Sequence, residues 1–232
     1  MIVTLRYVLL VLAVQLAVAC SPAAPTGEAP DNRPAASAEP ARPAEDARLA
    51  LAFGDSLYAG YQLDQNQGFA PALQRALAAQ GIAARVVNGG VSGDTTAAAL
   101  QRLAFTLDGL ERRPDLVLVG LGGNDALRGL GPDETRRNLA AILAELRRRD
   151  IPVLLTGMMA PRNMGPDYAA RFDPIFPELA REHGAALYPF FLDGVITEPA
   201  LLLPDGMHPN ARGVDAIVAR MSPEVARRLA AP

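Results

Sequence analysis

The chain has no tryptophan and no lysine: all 22 of its Lys and Arg positions are arginine. Without lysine there is no phosphate-gripping P-loop residue. The glycine-rich run Gly120-Leu121-Gly122-Gly123-Asn124 also lacks the spacing of a dinucleotide fingerprint. There is one cysteine, Cys20, so no disulfide can close within the chain. The two histidines, His183 and His208, lie far apart, and no His/Cys cluster has metal-ligand spacing. No metal site and no dinucleotide or P-loop nucleotide site is therefore expected. A net charge of −3 argues against a nucleic-acid partner. The apolar stretch Tyr7 to Ala19 is shorter than the ~20 residues that span a bilayer comfortably.

What is present suits one globular domain with a sizeable core and accessory segments: 232 residues, half of them hydrophobic. At the N-terminus, Arg6 precedes the apolar stretch, and small residues lead into Ala17-Val18-Ala19-Cys20. Residues 1–19 resemble a bacterial lipoprotein signal, cut before Cys20 so that its thiol can be lipidated. Ala17 stands where leucine is usual, and an ordinary secretory signal with a chance cysteine is the alternative. Either way the protein is expected to be exported, as a membrane-anchored lipoprotein or a periplasmic protein. From Ser21 to about Asp46 the chain is rich in Pro, Ala, Glu and Ser without apolar periodicity. Residues 20–47 therefore read as a disordered tether, too poor in apolar surface to offset the cost of ordering.

Residues 48–232 alternate strand and helix patterns. Leu49–Phe53, Ala84–Asn88, Leu116–Gly120, Val153–Gly157 and Ala186–Tyr188 are short apolar runs, as a parallel sheet covered on both faces requires. Helical spacing fills the gaps at Phe69–Gln80, Asp133–Arg149 and Tyr168–His183, the last delayed or kinked by Pro174 and Pro177. Asn210–Met221 is a further helix, and Pro223 is expected to separate a last short one. The pattern predicts an open, doubly wound α/β sheet of five parallel strands in the order 2-1-3-4-5. Ligands are expected at the carboxyl ends of the strands.

The chemistry-bearing residues fall in those loops. Gly54-Asp55-Ser56-Leu57 ends the first strand and puts a hydroxyl on a strand-to-helix turn, where a nucleophile becomes exposed. Asp205-Gly206-Met207-His208 supplies a base and, three residues earlier, a carboxylate to orient it. Alone, that segment is equally a plain turn with an exposed histidine. After the second strand, Gly93 lets the backbone come close to a substrate and can point its amide at an oxyanion, while Asp94 or Thr95 can cap the next helix. After the third strand, Asn124 offers a neutral donor; Asp125 would repel an oxyanion and is given a structural role. His183, before Gly184 at a helix end, reads as structural. Together these residues predict a serine esterase.

The set resembles the SGNH, or GDSL, hydrolase superfamily, with matching blocks at Gly54-Asp55-Ser56-Leu57, Gly93, Gly122-x-Asn124-Asp125 and Asp205-x-x-His208. The resemblance runs from about Arg48 to Arg228. Val91-Ser92-Gly93-Asp94-Thr95, Leu121-Gly122-Gly123-Asn124-Asp125 and Asp205-Gly206-Met207-His208-Pro209-Asn210 look closest to the thioesterase I/arylesterase/lysophospholipase subgroup. It implies a flavodoxin-like three-layer αβα sandwich and no cofactor. It also implies a Ser56, Asp205, His208 triad with an oxyanion hole from the Ser56 and Gly93 amides and the Asn124 side chain. Tyr58 departs from the small residue common there, which bears on substrate. The segment from Met159 to Tyr168 fits the subgroup's loop after the fourth strand. Met159, Met164 and Tyr168 are candidates for substrate binding, as flexible, polarizable methionines suit varied acyl chains. Methionines filling the core beneath the helix are the alternative.

The expected substrates are short- to medium-chain carboxylic esters, including aryl esters, with lysophospholipids and acyl thioesters as further candidates. An acyl esterase or acyltransferase of cell-envelope glycan is a second reading, disfavoured by a 5% aromatic content without tryptophan. A binding module that kept the fold and lost the chemistry is a third, disfavoured by the complete triad. No obligate protein partner is evident, and a membrane is a partner only through lipid on Cys20.

Overall fold

The computed structural model describes residues 47–230. The signal segment, Cys20 and all but the last residue of the tether lie outside the described residues. Five strands form one sheet: β1 (Arg48–Gly54), β2 (Ala84–Gly90), β3 (Leu116–Gly120), β4 (Val153–Thr156) and β5 (Ala186–Tyr188). All pairings are parallel and the order is β2-β1-β3-β4-β5, as the sequence pattern predicts. Leu49 to Gly54 are buried without alternation because both faces of β1 are covered.

Eight α-helices flank the sheet among the described residues: α1 (Ser56–Ala59), α2 (Phe69–Ala79), α3 (Thr96–Asp108), α4 (Gly123–Leu127), α5 (Pro132–Arg148), α6 (Pro166–Phe172), α7 (Ile175–His183) and α8 (Ala211–Ala230). One core cluster joins α2 and α8 to the sheet through Phe69, Leu73, Ile217 and Met221. The other joins α3, α5 and α7 through Leu103, Leu139, Leu143 and Phe176. The two clusters are the seams of a three-layer sandwich. Helix α5 shows how local chemistry sets its ends. Pro132 occupies its start, Asp133 and Glu134 its first turn, and Arg147 and Arg148 its last, each charge opposing the helix dipole.

Two expectations change at prolines. The stretch Tyr168–His183 is two helices, broken at Asp173-Pro174. By contrast, Pro223 does not separate a last helix; α8 runs through it to Ala230. The buried stripe Ile217, Met221, Val225, Leu229 continues past the proline and packs on the sheet. Pro223 and Ala219 are exposed, so water can satisfy the carbonyl that the proline leaves without a donor.

Tyr58 also differs from expectation: it is 1% exposed and belongs to the core, not to a substrate surface. The register sets Gly54 beside both Gly90 and Gly120. A Cβ on Gly120 would come within 2.1 Å of the Tyr58 ring, and one on Gly90 within 2.3 Å of the Ala59 nitrogen. These glycines make the room that lets α1 turn back across the strand ends. Tyr58 Oη donates to Thr156 Oγ1 at 2.9 Å, and Thr156 donates to the Val119 carbonyl. Burial raises the phenol well above its ordinary pKa, so it stays protonated.

Candidate active site

Asp55 sits between β1 and α1 and caps the helix, its Oδ1 accepting the Leu57 amide at 3.0 Å. Ser56 is thereby the first residue of a helix that begins at the sheet's carboxyl edge. The segment before α8 brings the base to it. Leu203 N–H donates to the His208 carbonyl at 2.7 Å, and Asn210 Nδ2 donates to the Ala200 and Leu202 carbonyls. His208 Nε2 stands 2.9 Å from Ser56 Oγ, and its Nδ1 stands 2.7 Å from Asp205 Oδ2. Serine, histidine and aspartate, 152 residues apart at the extremes expected from sequence, form one hydrogen-bonded line.

Asp205 also accepts the backbone amides of Met207 and His208 through Oδ1. The His208 amide is the main reason that its carboxyl titrates at about 2; partial burial opposes this, and the Met207 amide and imidazole add to it. The group is a carboxylate throughout the neutral range, fit to hold Nδ1–H and leave Nε2 facing the hydroxyl.

The loop after β2 holds Gly93 at φ +85°, a left-handed conformation that favours glycine. Thr95, not Asp94, caps α3 by accepting the Ala98 amide. Asp94 instead pairs with Arg102 Nε at 2.6 Å; the same guanidinium donates to the Gly54 carbonyl and lies 4.3 Å from the Phe53 ring centre. Arg102 thus ties this loop to the end of β1.

Two residues of the next loop grip the first. Asn124 Nδ2 donates to the Asp94 carbonyl at 3.0 Å and, more distantly, to Asp55 Oδ2 at 3.3 Å. Arg128 Nη2 donates to the Gly93 carbonyl at 2.7 Å. Successive carbonyls are held by side chains one helical turn apart. Asp125 is fully buried and accepts from Thr96 N–H, Thr96 Oγ1 and Thr135 Oγ1, a purely structural set of partners.

Asp55 is 2% exposed, and burial lifts its carboxyl to about 7. The charges of Asp94 and Asp125 push the same way, while the Leu57 amide and Asn124 oppose them.

The remaining candidates divide. Met158 is buried beneath the loop after β4, which matches the core alternative for that side chain. Met159 is 54% exposed, Met164 is half-buried against Gly129, and the half-buried Tyr168 donates to the Leu130 carbonyl and stacks on Phe172. His183 ends α7, at the opposite edge of the sheet from Ser56. Three further residues of the site are not legible in the sequence: Tyr61, whose ring lies 4.4 Å from that of His208, and Arg102 and Arg128. A tyrosine on a loop, an arginine on a helix and one just past a helix end carry no spacing signal, since all three act across the fold.

The model of the GDSL-like lipase/acylhydrolase family matches residues 52–216. The chain belongs to this family. Esterase TesA of Pseudomonas aeruginosa is 42% identical over 163 residues, which are 70% of this chain and 80% of that one. Thioesterase 1/protease 1/lysophospholipase L1 of Escherichia coli K12 is 38% identical over 69% of this chain and 74% of its own length. Among solved structures, the SGNH-hydrolase family esterase AlinE4 is 53% identical, with a TM-score of 0.68, and covers 80% of this chain and 98% of its own. This GDSL-family chain is a carboxylic ester hydrolase.

Proposed function

We propose that Ser56 is the nucleophile of a two-step ester hydrolysis, with His208 as base, Asp205 as its orienter, and Ser56 N–H, Gly93 N–H and Asn124 Nδ2 as the oxyanion donors. The observation that carries this reading is the line Asp205 Oδ2, His208 Nδ1, His208 Nε2, Ser56 Oγ at 2.7 and 2.9 Å. Ser56 Oγ passes its proton to His208 Nε2 and bonds to the ester carbon, whose carbonyl electrons move onto oxygen. That oxyanion takes the three donors; Asn124 turns toward it the N–H now held loosely by Asp55. The intermediate collapses, and the C–O bond to the alcohol breaks. The imidazolium protonates the leaving oxygen. Water then repeats the sequence on the acyl-enzyme, with His208 taking its proton and Ser56 regaining one.

The substrates are short- to medium-chain esters, with aryl esters, lysophospholipids and acyl thioesters in range. The partly exposed segment bearing Met159, Met164 and Tyr168 supports chain-length tolerance. Ser56→Ala is expected to abolish p-nitrophenyl ester turnover and fluorophosphonate labelling together; a variant that still labels contradicts the assignment. Turnover across acyl lengths then defines the preferred chain.

The leader ending at Ala19-Cys20 supports export and attachment through lipid on Cys20. Cys20→Ala should release the protein from the host membrane fraction, and an unmodified Cys20 in mass spectra would overturn this part of the proposal.

A further inference from the structure

One large apolar side chain exposed among the described residues, Phe105, lies on α3; the others follow the strands. Tyr61 follows β1, Val91 follows β2, Leu127 ends α4 after β3, Met159 follows β4, and Ile196 and Met207 follow β5. Each is between 36% and 54% exposed. In a parallel sheet every such loop leaves the same edge. All five exits from this sheet thus present an apolar side chain, on the edge that holds Ser56. Burying such groups is favourable, and six of the seven exposed large apolar side chains among the described residues lie in the segments that leave this edge.

We propose that this edge adsorbs to a lipid surface, a micelle or bilayer, and draws its ester from it. The inference rests on the esterase reading of the Ser56 site. Two observations favour lipid over a protein. First, apolar groups border the reaction centre itself: Tyr61 lies against the His208 ring, and Met207 precedes it. A protein seated on such a rim would close the path to Ser56, whereas a lipid surface delivers substrate through its middle. Second, the chain enters β1 at the opposite edge, through Ala47. Residues 21–46 separate Cys20 from it and can span at most roughly 90 Å. The seven residues of β1 span only about 23 Å. A chain anchored at Cys20 has the reach to turn its Ser56 edge onto the same bilayer.

The test uses residues 47–232, a complete folding unit because the AlinE4 structure consists almost wholly of the matching part. Flotation with phosphatidylcholine vesicles is measured for the wild-type sequence, for Leu127→Glu with Ile196→Glu, and for Phe105→Glu as the matched change off the edge. The expected result is that wild type and Phe105→Glu float and the double variant partitions about 10-fold or more less. All three should turn over water-soluble p-nitrophenyl acetate equally, which also reports that they are folded. Each single variant should move partitioning the same way. Wild type that stays in solution, or Phe105→Glu that loses as much as the double variant, overturns the proposal. So does a concentration-dependent dimer in sedimentation that Leu127→Glu and Ile196→Glu dissolve. Ser56→Ala separates the two readings: it should float unchanged while losing turnover. Retained turnover would sink the nucleophile and leave the flotation result standing on its own.

Discussion

Arg128 Nη2 donates to the Gly93 carbonyl at 2.7 Å, so the residue that caps the short helix carrying Asn124 also clamps the loop that carries Gly93. The clamp acts on a glycine in the left-handed region, where a lost partner frees the most backbone. Arg128→Met should lower kcat by about 10-fold with KM nearly constant, a loss discounted for the exposure of the guanidinium. Arg128→Lys should fall between. Steady-state kinetics decide: a rise in KM alone would move Arg128 from the loop to the substrate.

Asn124→Ala should lower kcat by roughly 10²–10³, the usual loss for one oxyanion donor, again with little change in KM. Asn124 also holds the Asp94 carbonyl, so the melting temperature is read beside the rate. Near-wild-type kcat would show that the loop after β3 does not line the oxyanion.

Asp205→Asn should reduce kcat by about 10²–10⁴ through loss of the imidazole's orienting acceptor. The folded pKa of Asp205, about 2, lies below its ordinary 3.8. Its ionised contribution is therefore complete above pH 4 and fades only as pH falls toward 2. Any acid limb of the wild-type pH–rate profile above pH 5 belongs to another group. Undiminished kcat in Asp205→Asn would contradict the orienting role.

Asp55 has the opposite sign. Its folded pKa, about 7, lies above its ordinary 3.8. The native state holds a proton that the unfolded chain releases, so this contribution to stability is full below pH 4 and lost as pH rises to 7. Melting temperature between pH 4 and 7 should fall less steeply in Asp55→Asn than in wild type. Equal slopes would place the titration elsewhere.

Met164→Ala should change the ratio of kcat/KM between long and short acyl esters by roughly 10-fold, since a methylene-scale contact is worth about 1–3 kcal/mol. Met158→Ala, in the core, should lower stability and leave the ratio alone. A ratio insensitive to Met164 would leave this loop outside the acyl path.

The sequence alone determined the strands and the loops that carry Ser56, Gly93, Asn124, Asp205 and His208; the strand order it led us to expect is fixed by pairings such as Ala50 with Leu116, which only the closed sheet makes. Those features are local: unbroken apolar runs fit only a sheet covered on both faces, and a short motif fixes its own turn. It left Tyr58 open to a substrate role, broke α8 at Pro223 and passed over Tyr61, Arg102 and Arg128. Each of these was decided by groups distant along the chain. Three strand-end glycines, set level by the parallel register, give Tyr58 its place in the core. A buried stripe against the sheet carries α8 through its proline. Arg102 and Arg128 find their acceptors 48 and 35 residues away. Spacing in a sequence encodes a turn or a helix face, but it does not encode which carbonyl a long side chain will meet once the layers close.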